Sequence, residues 1–275
     1  MFQAQTKKKQ HRFPELSIMS LIYVSTVRQL RRSHGNAIIG LAKAMMQGVI
    51  MIAVFYLMFE VLGMRGAAIQ GADLMLYLMS GILLFMAHNQ AINSVMGAEN
   101  STAQIMKHAP MTPFIALAAA ALATLYTQVS TAITMLLFYH LAINPLEMEQ
   151  PAEALLMLLL AWFSGCSIGL VLHAVKPWAP GFTNLVSMLY IRINMVASGK
   201  MVVANQLPGF MLAMFDWNPL FHCIDQVRGF VFLNYTPHNS SIDYPIYFSL
   251  SFIVLGFLGD FYTRQYASSS WSAKL

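Results

Sequence analysis

The chain has 275 residues, of which 57% are hydrophobic and only 10% charged, and its mean hydropathy is +0.58. That balance excludes an ordinary soluble enzyme and makes lipid the solvent of most of the chain. The formal net charge of +5 falls mostly on one set of connections, which reads as a topology signal rather than a nucleic-acid surface. Two cysteines, Cys166 and Cys223, both in apolar surroundings, offer neither a disulfide framework nor a cysteine zinc site, so free thiols are expected.

Residues 1–14 read as a polar lead, and no cleavable signal peptide is expected because the lysines precede an amphipathic rather than a continuously apolar helix. From Glu15 to Arg32 the apolar residues Leu16, Met19, Tyr23, Val27 and Leu30 recur at three- and four-residue spacing, with Arg28, Arg31 and Arg32 elsewhere on the wheel. This predicts a helix lying at the membrane interface.

Six stretches are long enough to span: Ala37–Leu62, Leu74–Met96, Phe114–Ile143, Ala154–Val175, Pro180–Val203 and Tyr244–Tyr262. An even count puts both termini on one side. That side carries Lys7, Lys8, Lys9, Arg12, Arg28, Arg31, Arg32, Lys107, Lys176, Arg264 and Lys274, against Arg65, Lys200 and Arg228 opposite. The positive-inside rule makes it cytoplasmic and puts the acidic connection of Glu147, Glu149 and Glu153 outside.

Lys43 and Glu60 sit near the two ends of the first span, where long side chains reach the interface and no function is required of them. In the second span His88, Asn89, Gln90 and Asn93 must meet neighbouring helices or line a pathway. The connection Gly97–Pro113 offers the caps Asn100, Ser101 and Thr102, then a short helical run stopped by Pro110 and Pro113, suited to docking a cytoplasmic partner. The third span has small residues at Ala116, Ala118–Ala121 and Ala123 for close helix approach. In the fourth, Gly165-Cys166-Ser167-Ile168-Gly169 matches the G-x-S-x-G nucleophile pattern. It lies inside a long apolar helix without the strand and turn that motif needs, and so predicts a packing face. Arg192, flanked by Tyr190 and Asn194, falls near the middle of the fifth span. An arginine there costs roughly 2.5–3.5 kcal/mol on insertion, so it must face a structural partner or a hydrated cavity that favours anions.

Between Met201 and Pro237 the chain is apolar but broken. Pro208-Gly209 interrupts one helix, and Asn218-Pro219 starts another with an N-cap acceptor and a proline at the first helical position. Helices of about Gly209–Phe215 and Pro219–Phe232 are too short to cross about 30 Å of hydrocarbon, so they dip in and return. The second has an apolar face of Leu220, Phe221, Ile224, Val227 and Val231 and a polar stripe of His222, Asp225, Gln226 and Gly229, with Arg228 beside it. The alternative is a surface helix on an outer loop, held by its own Asp225–Arg228 pair. His222 with Asp225 is a weak metal signal, better read as a hydrogen-bonded pair. No Walker A sequence occurs, so ATP chemistry belongs to a partner.

Trp217-Asn218-Pro219-Leu220 followed by His222, Asp225 and Arg228 is similar to the aromatic-Asn-Pro-Leu, His, acid, Arg sequence before the final span of type-2 ABC exporter permeases. The order of a basic amphipathic helix, two spans, a short inner helix and four more spans from about Leu16 to Tyr266 resembles the same family. So does the basic turn Arg31-Arg32-Ser33-His34-Gly35-Asn36 into Gly40-Leu41. The likeness extends to the polysaccharide-export branch, the KpsM/Wzm-like permeases of capsule and O-antigen export. The chain departs from that branch in the first span, where Leu41-Ala42-Lys43 and Gln47-Gly48 stand in place of a tryptophan and a proline.

The resemblance implies an all-α integral membrane protein in three parts. Residues 1–36 are a cytoplasmic lead and interfacial helix, 37–266 a six-helix permease with an outer re-entrant segment at about 203–237, and 267–275 a short cytoplasmic tail. It implies no cofactor, metal or catalytic residue in this chain, with ATP and magnesium held by the partner. The assembly would be a permease homodimer with two ATP-binding-cassette subunits in a bacterial inner membrane. Its cargo would be a lipid-linked polysaccharide moving along the dimer seam toward periplasmic co-polymerase and outer-membrane export proteins.

Under that reading the pathway candidates are Arg192, Tyr190, Lys200, His222, Asp225 and Arg228, and Arg28, Arg31 and Arg32 form an interfacial gate. The residues coupling to the ATPase are Asn100, Ser101, Gln104, Ile105, Lys107 and His108. Aromatic faces at Tyr77, Phe85, Tyr126, Trp162, Trp178 and Tyr190 are able to stack on sugar rings. The alternatives are the same architecture exporting a small molecule or lipid, and an integral-membrane enzyme acting on lipid or sugar. The enzyme would need convergent groups at one depth, which His88, His173 and His222 do not supply.

Overall fold

The computed structural model describes residues 14–34, 37–61, 63, 69, 71–98 and 112–272. Among them every regular element is helical: α1 (Pro14–His34), α2 (Ala37–Val61), α3 (Leu74–Met96), α4 (Pro113–Ala142), α5 (Pro151–Val175), α6 (Pro180–Ala197), α7 (Gly209–Phe215), α8 (Pro219–Val231) and α9 (Asp243–Ser272). The starts follow local chemistry. Helices α4, α5, α6 and α8 each begin on a proline, where the missing amide donor costs nothing. Asp73 caps α3 by accepting from the Met75 amide at 3.0 Å.

Five helices are long and apolar enough to cross a membrane: Ile39–Val61, Leu74–Met96, Pro113–Ala142, Pro151–Val175 and Asp243–Tyr266. Six were expected. The exception is the stretch from Pro180, which forms an 18-residue helix ending at Ala197 rather than a span running on to Val203. Asn184, Arg192 and Asn194 dilute its apolar content. The chain then turns through Gly199 at φ +70°, where a Cβ would also meet the Phe221 ring at 2.8 Å.

Helix α3 is the axis of the bundle. Of its apolar stretch 89% is buried, against 17% for α9, which is therefore peripheral. Helix α5 runs parallel to α3 at close approach: a Cβ on Gly165 would lie 2.3 Å from the His88 carbonyl and one on Gly169 2.8 Å from that of Ile92. The G-x-S-x-G sequence is thus a packing face. Helix α9 follows the other side of α5, where Gly256 accommodates Leu170 and Thr263 donates to the Ala174 carbonyl at 2.9 Å.

Arg28, Arg31, Lys43, Lys176 and Arg264 all fall toward one end of the bundle, called here the basic end. There Arg264 forks onto Asp260 at 2.7 and 2.9 Å, and the Trp178 indole donates to Thr263 at 2.8 Å. Helix α1 packs against α4 and α2 and leaves Met19 and Tyr23 exposed, so part of its apolar stripe faces away from the bundle.

The short α7 and α8 have the expected bounds to within a residue. Helix α8 is not a surface helix. Its apolar Leu220, Phe221, Ile224 and Val227 and its polar His222, Asp225 and Arg228 are all buried, against α3, α5 and α9.

Candidate functional site

The buried His222, Asp225 and Arg228 of α8 are bonded one by one and not to each other, and the Arg228 Nε alone of their polar atoms has no hydrogen-bond partner among the described residues. The Arg228 guanidinium donates to three backbone carbonyls of the preceding turn: Gly199 at 2.9 Å, Val202 at 2.9 Å and Lys200 at 2.8 Å. Its flat face lies 4.2 Å from the centre of the Tyr77 ring. Asp225 accepts from the Ser240 hydroxyl at 2.7 Å and from the Tyr235 hydroxyl. Burial, together with that carboxylate, raises the Tyr235 phenol and keeps it a neutral donor. The expected Asp225–Arg228 pair is therefore replaced by a cation on carbonyls and an anion on hydroxyls, which pin α8 to the turns on either side of it.

His222 is held in the same way. Its Nε2 donates to the Asp216 carbonyl at 2.8 Å and its Nδ1 accepts from the Ser241 amide at 3.1 Å, a pattern that fixes the tautomer. The predicted bond to Asp225 is not made, because each group is already saturated by backbone or hydroxyl partners. Among the described residues no three His, Cys, Asp or Glu side chains come together as a metal site, and both cysteines are free.

Lys200 is 1% exposed, and its ammonium lies 3.6 Å from the centre of the Phe85 ring and 5.2 Å from that of Phe55. Among the described residues no hydrogen-bond acceptor reaches it. The rings replace water as its electrostatic partner. Its backbone lies 3.0 Å from where a Gly81 Cβ would be, so α3 has a glycine where this turn presses on it. Tyr77 and Phe85, expected among the aromatic faces for sugar rings, are thus occupied by the protein's own cations.

At the tip of the re-entrant pair a line of asparagines ties three helices together. Asn218 caps α8 by accepting from the Leu220 amide at 3.1 Å, and donates to Asn194 at 2.9 Å and to the Ala197 carbonyl at 3.0 Å. Asn194 donates to Asn89 at 3.3 Å, and Asn89 donates to the Phe85 carbonyl at 3.0 Å. Asn89 lies about 24 Å along α3 from Asp73 at roughly 1.5 Å per residue, so the tip reaches well past the middle of the bundle. Beside the ladder, His88 Nδ1 lies 3.0 Å from the Ala161 carbonyl and accepts or donates at 2.9 Å with Ser164, and the Tyr190 hydroxyl is 3.1 Å from Nε2. His88 and Asn89 are thus used for helix packing.

Helix α6 has the polarity expected of a membrane helix at the edge of a bundle, polar inward and mostly apolar outward. It buries Thr183, Ser187 and Asn194 and exposes Phe182, Leu185, Leu189, Ile193 and Val196. Arg192 projects from the exposed face, half a turn away from the buried stripe, and makes no polar contact within the chain among the described residues. Next to α6 the Trp217 indole is 45% exposed, with its ring edge-on to Tyr190 at 6.4 Å, and its carbonyl accepts from the Tyr244 hydroxyl at 2.6 Å. Trp217 was legible in the sequence only as part of a motif. A half-exposed tryptophan packed edge-on to Tyr190 is a tertiary fact.

Of the six expected pathway residues, Lys200, His222, Asp225 and Arg228 are 4% exposed or less and engaged inside the chain. Tyr190 is half-buried and Arg192 fully accessible. Arg28 and Arg31 are exposed on α1, while the side chain of Arg32 lies outside the described residues. The expected coupling residues Asn100, Ser101, Gln104, Ile105, Lys107 and His108 also lie outside them.

Residues 20–232 match the family model described as ABC-2 type transporter. The chain is also similar to the polysialic acid transport protein KpsM of Escherichia coli, at 24% identity over 191 residues, which cover 70% of this chain and 73% of that protein.

Proposed function

Because this chain belongs to the ABC-2 type transporter family, we propose that it is the permease half of an exporter whose cargo is a lipid-linked, acidic polysaccharide. Two copies face each other, and two separate ATP-binding subunits supply the energy. The observation that carries this reading is Arg192, an exposed cation among Phe182, Leu185, Leu189, Ile193 and Val196 on the outward face of α6. Left in lipid it would cost roughly 2.5–3.5 kcal/mol, so a second surface or a hydrated seam covers it. A guanidinium on the wall of a hydrated seam attracts carboxylates, and the half-exposed Trp217, edge-on to Tyr190, presents a ring face suited to sugars. The similarity to a protein named for polysialic acid transport, an anionic polymer, supports the same cargo class.

In this reading α6 is the sixth pass. Its 18 residues reach about 27 Å, its polar Thr183, Ser187 and Asn194 face the bundle, and its outer face is apolar apart from Asn184 and Arg192, which suits a pass at the edge of the bundle against lipid or a second copy. The basic end is cytoplasmic, which puts both termini there, with α1 lying on the inner leaflet. Residues 37–266 form the permease body. The loop carrying Asn100, Ser101, Gln104, Ile105, Lys107 and His108 docks the ATP-binding subunit, and Arg28, Arg31 and Arg32 border the entry from the cytoplasmic leaflet. The buried lock around Arg228 and Lys200 acts by holding the tip of α8 and Trp217 against α6, not by touching cargo.

The test is replacement of Arg192 by leucine in cells that lack the wild-type chain, with surface polysaccharide and the amount of membrane-inserted protein measured together. Loss of surface polymer with normal protein is expected. Normal polymer with normal protein would remove Arg192 from the pathway, and accumulation of something other than a glycolipid in cells lacking the chain would overturn the cargo.

A further inference from the structure

A cleft of about 300 Å³ opens at the basic end between α1, α2, α3 and α4, away from α6 and the re-entrant pair. Its walls include Lys43 and Gln47 of α2, Gln90 and Ser94 of α3, and Thr124 and Tyr126 of α4. Depth follows from helix rise. Lys43 is about 9 Å along α2 from Ala37, and Gln90 about 9 Å along α3 from Met96, so both lie just inside the hydrocarbon boundary at that end.

The cleft is selective in what it leaves unpaired. Its hydroxyls are already spent: Ser94 donates to the Ala120 carbonyl at 3.2 Å and Thr124 to that of Ala121 at 2.8 Å. The Gln90 carbonyl oxygen accepts from Gln128 at 2.6 Å, which leaves the Gln90 amide nitrogen as a donor. Lys43, Gln47 and the Tyr126 hydroxyl make no hydrogen bond or ion pair among the described residues. What remains among the described residues is an ammonium, the Gln90 amide nitrogen, the whole Gln47 amide and a phenol, and no carboxylate among them lines the cleft. Donors around a cation at interfacial depth suit one ligand chemistry, a phosphate group.

We propose that this cleft binds the phosphate of an anionic glycerophospholipid resident in the leaflet at the basic end, with Lys43 as its counter-ion and the Gln90 amide as its second contact. The lipid reaches the cleft sideways, past the exposed Ile39, Met46 and Tyr126. It acts as mortar between α1 and the body of the bundle, since Gln29 and Leu30 of α1 form one wall. Nothing in this assignment depends on the identity of the cargo.

The intact chain is purified in mild detergent with whatever subunits accompany it, exchanged into nanodiscs of phosphatidylcholine containing a minor share of phosphatidylglycerol, and re-extracted for native mass spectrometry. Wild-type protein is expected to retain one phosphatidylglycerol per chain. Lys43→Gln is expected to lower the preference for phosphatidylglycerol over phosphatidylcholine by roughly fivefold, the factor that corresponds to about 1 kcal/mol for one lysine near an anionic headgroup. Lys43→Arg should retain it, Gln90→Leu should weaken it, and Lys176→Gln, a cation at the same end outside the cleft, should leave it unchanged. Equal retention of the two lipids by the wild type overturns the proposal without any variant. So does an unchanged preference in a Lys43→Gln protein that elutes and melts as the wild type does. Displacement of the adduct by millimolar inorganic phosphate would make the ligand a free anion, which also overturns it.

Discussion

Two cations of this chain sit on either side of the same asparagine ladder and are treated in opposite ways. Arg228, on α8, gives its guanidinium to three carbonyls and one aromatic face and is 1% exposed. Arg192, on α6, is exposed and makes no polar contact among the described residues. The first is a structural device, because a buried charge held by three carbonyls and a ring fixes one arrangement and punishes its loss. The second is the one that the proposed pathway uses, where a cation without a partner in its own chain is completed from outside it.

The contrast is sharpest in stability. Arg228→Leu removes the bonds to three carbonyls, leaving that of Lys200 buried without its donor, and the contact with Tyr77, and is expected to cost about 3 kcal/mol, seen as a chain that fails to accumulate or melts early in detergent. Arg228→Lys should recover only part of this, because a single ammonium does not reproduce the planar fork. A leucine variant that melts with the wild type would remove the lock. At the ladder between the two cations, Asn218→Ala removes the cap of α8 and its link to Asn194, and should cost about 1–2 kcal/mol in the same melt. The smallest stability effect belongs to Arg192→Leu, expected within about 0.5 kcal/mol of wild type even while surface polysaccharide falls. A large destabilisation by that change would make Arg192 structural after all and erase the difference between the two sites.

Much of the fold was legible. Prolines and Asn218 announced helix starts, and runs of apolar residues announced α2 to α5 and the start of α9 to within a few residues, because length and apolarity are what a bilayer demands of any span, while α9 runs on to Ser272, ten residues past its expected end. Helix α6 was legible as helix, but not that it stops at Ala197 with Arg192 outward, since periodicity gives a stripe without saying which side the bundle occupies. The site was legible as residue types only. Asp225 and Arg228 stand three apart on one helix, and local spacing favours pairing them. In the folded chain the Gly199–Val202 turn brings its carbonyls to Arg228 from one side and the loop of Tyr235 and Ser240 brings its hydroxyls to Asp225 from the other. Lys200 read as a pathway cation for the same reason. Nothing in its neighbourhood along the chain says that Phe55 and Phe85, more than a hundred residues earlier, close over it.

By itself the sequence determined that this is a helical membrane chain with two short helices, broken by prolines, before its last helix, because those properties depend on composition and local backbone chemistry. Only the tertiary structure decided which polar groups are spent and which are left over. That depends on which turns and rings converge on each side chain, and so separates the locked Arg228 and Lys200 from the outward Arg192 and from the donors around Lys43.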